Sequence, residues 1–444
     1  MKLRTSLLRL LLTTSVVSSV LIFSFREREG NKKPLQGKAI CCPQPSQASC
    51  VIRTILNLEP FDTAGMLKNA ALINGAIQHG LDWLYRAQAA DGGWGAGSHY
   101  HQEILDPHAV ASDPATTAMV GMALLRCGYT LTKGQYSENL RNATEYLLKA
   151  VENTPGNEIN ITTMTNTQPQ VKLGNNIDVI LAAQFLTNLI PHINNDQNLK
   201  NRVEKSLNSC IGKIESAQDG DGSWKLGGWA PVLQSALANN ALESAKDIGF
   251  STNSVVLEKS KAYLKSNFDL QTNSVITGKS AGVLLYAISG SSRASAQDAG
   301  LVTEKIDIAK KEGKLKRDDT VSQKNLVKAG MSATEADKYF TAYSVNKATL
   351  AKAQTESVMN GFGSNGGEEF LSYLMTGESL VMNGGQNWEK WYDMMTGRLI
   401  QIQDNTGCWN GHHCISSPVF CTATCLLVLS INKDINFLVN PGHR

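Results

Sequence analysis

A chain of 444 residues, of which 42% are hydrophobic and 18% charged, has the composition of an ordinary globular protein. That length suffices for one large domain or two modest ones. The formal net charge is only +3, so the charge balance excludes an electrostatic argument for nucleic acid as the partner.

The N-terminus has secretory character. Lys2, Arg4 and Arg9 lead into an apolar run over residues 10–25, an order that is typical of a signal sequence. The run is short for a membrane-spanning helix, which needs roughly 20 residues, and no small-residue cleavage site follows it. Residues 1–28 are therefore a cleaved signal peptide or an uncleaved signal-anchor, and both alternatives stay open. Either way we expect the body outside the cytoplasm, secreted, periplasmic or anchored to a membrane by its N-terminus.

Nine cysteines fit that compartment, because disulfides persist in oxidising environments. Three of them, Cys41, Cys42 and Cys50, lie within residues 29–65, a proline-containing stretch that we interpret as a tether packed partly on the body. Four more cluster near the end of the chain: Cys408, Cys414, Cys421 and Cys425. We expect disulfides, but the connectivity stays open, with Cys408 free to pair with Cys414, Cys421 or Cys425.

From residue 69 onward the apolar pattern is helical. Ile73, Ile77, Leu81 and Leu84 form one apolar face, and Asp113–Pro114 supplies the cap and first-turn signals of a second, more buried helix. The same unit recurs, with predicted helices over residues 138–151, 177–189, 199–217, 231–248, 255–265, 281–288, 367–382, 388–403 and 418–431. These segments make about six hairpins, each an amphipathic helix followed by a buried one. The predicted fold is all-α over residues 66–433, followed by a C-terminal tail over 434–444.

Charged residues concentrate in one region that does not fit the hairpin pattern, residues 291–346. We interpret it as an inserted helical arm. Its charges form either a solvated face or a surface that docks a partner.

Three turns share a motif. Gln-x-x-Asp-Gly-x-Trp occurs at residues 88–94 and 218–224, and again at 403–409 with Thr406 in place of the acid. Each copy follows an amphipathic segment and precedes a proline that starts a small-residue apolar segment. Such self-similarity predicts stacked or circularised hairpins.

The first copy resembles the QW repeat of the terpenoid cyclase and protein prenyltransferase superfamily. Gly80-x-x-Trp83-Leu84-x-x-x-Gln88-x-x-x-Gly92-x-Trp94 matches that repeat position for position. The copy at 218–224 has Lys213 where the repeat has an aromatic residue. The resemblance covers roughly residues 70–431 and implies an α/α toroid, a closed ring of helical hairpins. It also implies that the Gln and Trp side chains brace neighbouring helices.

The activities known in that superfamily do not carry over. Its alkene-protonating cyclases use Asp-x-Asp-Asp, which is absent from this chain. The zinc-binding context of the prenyltransferases is also missing, and the thioester string Gly-Cys-Gly-Glu-Gln has only a cysteine-free counterpart at residues 365–369. Fold likeness alone does not define a reaction.

Topology predicts a polar site on one rim of the ring, since closure would place the first and last turns side by side. The first turn carries His99, His101 and His108, and the last carries His412 and His413. The Gly-rich turn before Glu368 would join them. Imidazoles and a carboxylate are the groups that a zinc site or an acid–base pair requires. The alternative is that the five histidines are polar loop residues and that Glu368 and Glu369 complement a helix dipole. Whether zinc is bound stays open.

The sequence therefore predicts an extracytoplasmic toroid that binds an apolar or extended ligand, a small molecule or a polymer, in its cavity. If the protein is an enzyme, we expect lyase or hydrolase chemistry at the histidine-rich rim. The alternative function is a non-catalytic binding or scaffold module that presents the ring and its arm to a partner.

Overall fold

A computed structural model of the protein describes residues 41–44, 50–51, 70–193, 195–224, 228–383 and 386–434. The predicted signal segment, most of the predicted tether and all of the tail beyond Asp434 lie outside the described residues.

The described chain is mostly helical with almost no strand, which confirms the all-α prediction. Its α-helices are α1 (Ala70–Ala87), α2 (Pro114–Arg126), α3 (Ser137–Glu152), α4 (Gln168–Leu173), α5 (Ile177–Leu189), α6 (Gln197–Ser216), α7 (Pro231–Asp247), α8 (Ser254–Lys265), α9 (Leu284–Lys311), α10 (Gln323–Lys328), α11 (Ala333–Ala353), α12 (Glu356–Met359), α13 (Gly367–Asn383), α14 (Gln386–Gln401) and α15 (Pro418–Leu429). One short antiparallel pair, β1 (Phe268–Asp269) and β2 (Ser274–Val275), precedes α9.

Six helices pack in a closed order. α2 contacts α5, α5 contacts α7, α7 contacts α9, α9 contacts α13, α13 contacts α15, and α15 contacts α2. We call these six the central helices. All twelve residues of α15 are buried, as are all residues of α2 except Arg126. Burial on every side explains why their sequences are apolar without an amphipathic stripe.

The helices between them are amphipathic and pack on the central helices with one face. α1 buries Ile77, Leu81 and Leu84 as its periodicity predicts. It contacts both α14 and α15, so the first hairpin lies against the last.

The three motif turns share one hydrogen-bond arrangement. Each tryptophan indole donates to the carbonyl ten residues earlier, at 2.9 Å to Leu84, 2.8 Å to Ile214 and 2.8 Å to Leu399. Each glutamine amide donates to the carbonyl four residues later and to a carbonyl on another helix, namely Asn139, Val256 or Ala76. The glutamines therefore join neighbouring helices as predicted, whereas each tryptophan indole bonds the helix that precedes its own turn. The turn requires glycine: Gly407 has a φ of +104°, and a Cβ there would collide with the His79 carbonyl.

The predicted insertion starts inside α9. Residues 285–296 of this helix are buried in the body, and their serines and alanines allow close packing. Its later part joins α10 and α11 around a separate apolar cluster that includes Val302, Ile306 and Leu326. We call this later part of α9, together with α10 and the start of α11, the arm.

The N-terminal segment is fastened to the last motif turn. Cys42 and Cys408, both fully buried, form a disulfide, and the Asn410 amide donates to the Pro43 carbonyl at 2.6 Å. The sequence alternatives for Cys408 did not include Cys42, because this pairing depends on where the N-terminal segment lies. A buried disulfide indicates an oxidising setting such as the extracytoplasmic space. Among the described residues, no helix combines the length and apolarity that crossing a bilayer needs.

Candidate functional site

Two loops meet where α13 begins. The Gly367 amide donates to the Ile415 carbonyl at 2.9 Å, and the His412 amide donates to the Asn365 carbonyl at 2.8 Å. These bonds hold the Gly-rich turn before α13 against the loop before α15. They place Glu368 and Glu369, in the first turn of α13, at the centre of a polar group of side chains with Tyr286, His413 and Cys414. We call these five residues the rim cluster.

Glu369 is fully buried and well supplied with donors. Its carboxylate accepts from the Tyr286 hydroxyl at 2.5 Å and from the Gly366 amide at 2.8 Å. His413 Nε2 lies 3.6 Å from the same carboxylate. Burial raises the pKa of Glu369, although His413 and Tyr286 oppose that rise. Tyr286 has a raised pKa through burial and the neighbouring glutamates, so its hydroxyl stays a donor.

Glu368 differs from its neighbour because half of its carboxyl group has no partner. Oε2 accepts from the Ile415 amide at 3.3 Å, whereas Oε1 is buried without a hydrogen-bond partner among the described residues. Burial, followed by repulsion from Glu369, raises the pKa of Glu368. A carboxyl group in such a place favours its neutral form and can donate a proton.

Cys414 adjoins the two glutamates but is a poor nucleophile. Burial and the charge of Glu368 raise the pKa of its thiol to about 12, so almost none of it is thiolate near neutrality. Lys172 is an electrostatic neighbour of Glu368 and Cys414 and lies 4.9 Å above the Trp229 ring.

Of the five histidines predicted for the site, one lies within the rim cluster, two are hydrogen-bonded near it or in the first turn, and two are exposed. His413 lies within the rim cluster, where Nε2 is 2.8 Å from the Ser364 carbonyl and Nδ1 is buried without a described partner. His412 is held through Nδ1, 3.3 Å from the Asn365 carbonyl. His99 bonds Gln102 at 2.8 Å, and burial and Lys172 lower its pKa. His101 and His108 are exposed, the first 3.1 Å from Glu103 and the second 3.0 Å from the Arg86 carbonyl.

The first and last turns do adjoin. Ser416 Oγ donates to the Gln102 carbonyl at 3.0 Å, and the Gln168 side-chain oxygen accepts from the Ser416 amide at 2.8 Å and the Ser417 amide at 3.0 Å. His99 shares an electrostatic neighbour with the rim cluster, because burial and the charge of Lys172 lower the pKa of His99 and the same charge also acts on Glu368.

The rim cluster does not have the geometry of a zinc site. In the described part of the chain, one group of three acidic, thiol or imidazole side chains comes close enough to share an ion, namely Cys42, Asp404 and Cys408. The two sulfurs of that group are bonded to each other, so they are not available as thiolate ligands.

A cavity of about 410 Å³ lies among the central helices. Its walls are mainly apolar, with contributions from α2, α5, α7, α9, α13 and α15 that include Met119, Met122, Leu237, Leu371, Leu374 and Leu427. It extends toward the carboxyl ends of α2, α5 and α7, where Arg126, Asn188 and Ser244 line it. The rim cluster, by contrast, lies at the amino ends of α13 and α15.

Charged side chains line one part of this cavity. Glu378 accepts from Arg126 Nη2 at 2.6 Å and from Arg293 Nε at 3.0 Å. Asp434 accepts from Arg126 Nε at 3.3 Å. Burial alone would raise the pKa of Glu378, but the two arginines outweigh it and lower the pKa. Glu378 is therefore an anion shared by two cations.

Sequence reasoning placed Glu369 beside Glu368 but missed Tyr286, Lys172 and this arginine–carboxylate group. The sequence did carry a signal for the arginine–carboxylate group. Arg126, Arg293 and Glu378 are single charges within apolar or small-residue runs. Charged residues are rarely buried unless they are paired. No comparable signal marked Tyr286, whose partner is 83 residues away.

Comparisons with known proteins add no relative. No protein-family model, no curated protein and no solved structure matches this chain.

Proposed function

We propose that this protein is an extracytoplasmic α/α toroid, similar in architecture to terpenoid cyclases and prenyltransferases, that binds an apolar ligand in its central cavity. The cavity carries the proposal. Its volume of about 410 Å³ falls in the range of roughly 300–1,000 Å³ that small-molecule sites occupy. Walls of methionine and leucine with a few polar groups are the usual composition of such sites.

Two further observations support the architecture and the location. The closed order of contacts among the central helices and the Gln–Trp braces are what a toroid requires. The secretory pattern over residues 10–25 and the buried Cys42–Cys408 disulfide favour the space outside the cytoplasm.

A cavity-filling substitution tests the proposal. Met122 lines the cavity and is buried, so Met122→Trp should displace ligand and weaken binding of a neutral apolar fluorescent probe about tenfold or more. Val255→Trp is the matched control, because that side chain is 58% exposed and should leave binding unchanged. Native mass spectrometry of the purified protein should also show a bound apolar molecule. If wild-type protein binds no apolar probe, the proposal is wrong.

The rim cluster supports a second candidate, acid–base chemistry of the lyase or hydrolase type. The supporting observation is the unpartnered, buried Oε1 of Glu368 beside a His413–Glu369–Tyr286 group. In this arrangement Glu368 donates a proton, while Glu369 orients His413 as the acceptor.

Carbon NMR of labelled glutamate carboxyl groups tests this candidate directly. The signal that is absent from Glu368→Gln should belong to a carboxyl that remains neutral well above the ordinary glutamate pKa of about 4.3. Glu335→Gln, on the surface of the arm, should remove a carboxyl that titrates below that value. Titration of the Glu368 signal below about pH 5 would contradict the acid–base candidate.

The scaffold alternative predicts different mutational effects from the two candidates above. A scaffold would tolerate Met122→Trp and Glu368→Gln in any functional assay, and would instead lose function when charges of the arm, such as Lys310 and Lys311, are replaced.

A further inference from the structure

Two arginines line the charged part of the cavity, and they differ in how many of their side-chain nitrogens have a hydrogen-bond partner within the protein. Arg126 donates through Nη2 to Glu378, through Nε to Asp434 and through Nη1 to the Leu427 carbonyl. All three of its nitrogens are therefore engaged within the protein.

Arg293 has a hydrogen-bond partner for only one of its three side-chain nitrogens among the described residues. Its Nε donates to Glu378 at 3.0 Å, but Nη1 and Nη2 have no hydrogen-bond partner among the described residues. The side chain is only 8% exposed and lines the cavity. A buried guanidinium normally uses most of its five donors, so the paired Nη1 and Nη2 groups of Arg293 form a free edge that is available to a ligand in the cavity.

The charges that line the cavity leave a small positive excess. Three cations, Arg126, Arg293 and Lys433, face two carboxylates, Glu378 and Asp434. Outside the lining, the charge of Arg293 also acts on Glu243 and Asp247. Glu243 has a cation of its own, Lys261, at 2.8 Å, and Asp247 accepts from the Gln297 amide.

We infer that the cavity takes a single-chain amphiphile with one carboxylate, a long-chain fatty acid anion, whose head binds the free edge of Arg293 and whose tail lies against Met119, Leu237 and Leu374. The inference rests on the proposed function, since it names the ligand of the same cavity. Two parallel N–H groups match the two oxygens of a carboxylate. A single free guanidinium edge and one excess charge suit a monoanion better than a phosphate or diphosphate, which would bring two or more negative charges into a largely apolar site.

Paired ligands that differ only in the head group test the inference. Isothermal titration of the full chain with dodecanoate and with 1-dodecanol compares the anion with a neutral molecule of equal chain length. We expect dodecanoate to bind about tenfold or more tightly, because a hydrogen-bonded charge pair outweighs a neutral contact.

Substitutions then locate the head group. Arg293→Met should reduce dodecanoate affinity to that of 1-dodecanol and leave 1-dodecanol binding unchanged. The variant should fold, because Glu378 keeps Arg126 as its partner, and circular dichroism checks this. Arg293→Lys, which keeps the charge without the planar fork, should be intermediate. Arg202→Met, which removes a surface arginine paired with Glu145, is the matched control.

The outcomes separate the two claims. If 1-dodecanol binds and dodecanoate shows no preference, or if Arg293→Met and Arg293→Lys both keep the preference, the carboxylate inference is overturned while the apolar cavity stands. If neither ligand binds, the proposed function itself fails. Dodecyl phosphate that binds more tightly than dodecanoate would also overturn the inference, in favour of a phosphate head.

Discussion

Gln403 donates a hydrogen bond through Nε2 to the carbonyl oxygen of Ala76 at 3.0 Å, which joins the turn after α14 to α1, the first described helix. The two residues are 327 positions apart in the chain. Among the three motif glutamines, this one joins the end of the fold to its beginning, whereas Gln88 and Gln218 reach the next amphipathic helix in sequence.

Replacement of Gln403 should therefore loosen the contact between the first and last hairpins. Gln403→Leu removes the bonds to Ala76 and to Gly407 and should lower the free energy of unfolding by about 1–3 kcal/mol. Urea denaturation measures the loss. Gln197→Leu, at an exposed position that bonds only Asn201, should change stability by less than about 0.5 kcal/mol. Equal effects from the two substitutions would contradict the role of Gln403.

Glu378 should be among the most sensitive positions of the cavity. Glu378→Ala leaves Arg293 without its carboxylate and Arg126 with Asp434 alone, and an uncompensated buried charge costs about 3–5 kcal/mol. Chemical denaturation measures the change. Glu145→Ala breaks a partly exposed pair with Arg202 and should cost no more than about 1 kcal/mol. A loss at Glu378 as small as that at Glu145 would show that the group contributes little.

Asp178 gives a prediction about pH. It is buried at the start of α5, where it accepts from the Ile161 amide at 2.9 Å, and burial raises its pKa to about 7. The unfolded chain releases this proton near pH 3.9, whereas the folded protein keeps it until about pH 7. Between these values the folded state binds more protons than the unfolded state, so stability falls as pH rises.

Asp178→Asn should remove that loss, because the amide oxygen can still accept from Ile161 and carries no charge. The stability of the variant relative to wild type should increase as pH rises from about 4 to about 7, by a few kcal/mol in total. Thermal denaturation across this range measures it. Val255→Ala, at an exposed position of α8 where neither side chain titrates, should give a difference that does not change with pH. A constant difference for Asp178→Asn would mean that its carboxyl titrates normally.

The Cys42–Cys408 disulfide should contribute to stability. The Cys42→Ser, Cys408→Ser double variant should lose about 2–5 kcal/mol, measured by denaturation under non-reducing conditions. Cys41→Ser, which removes an exposed free thiol, should have no effect. Thiol titration of denatured protein should count seven free cysteines and, after reduction, nine. A count of nine before reduction would exclude the bond.

Periodicity and turn chemistry predicted the helices well. The apolar face of α1 and the Asp113–Pro114 start of α2 are local signals, and Asp113 caps α2 by accepting from the Thr116 amide at 2.8 Å. The motif turns were recognisable because the same residues make the same bonds in each copy. Local sequence determines these features, so the sequence alone predicts them.

The candidate site was less predictable, because it depends on contacts between distant residues. His101 and His413 carry the same side chain in neighbouring turns, yet one is exposed and the other largely buried. What distinguishes them is the loop pairing between Asn365 and His412, which no spacing in the sequence expresses. Likewise the bond between Tyr286 and Glu369 exists only because α9 and α13 are neighbours.

The length of α9 has a structural consequence. At 28 residues this helix is about 42 Å long, and it passes three places in turn: Tyr286 at the rim cluster, Arg293 in the cavity and Ile306 in the arm. Tyr286 and Arg293 therefore share one helix, seven residues or about 10 Å apart along its axis. The arm continues this same helix, so a single element connects the charged surface of the arm to both sites.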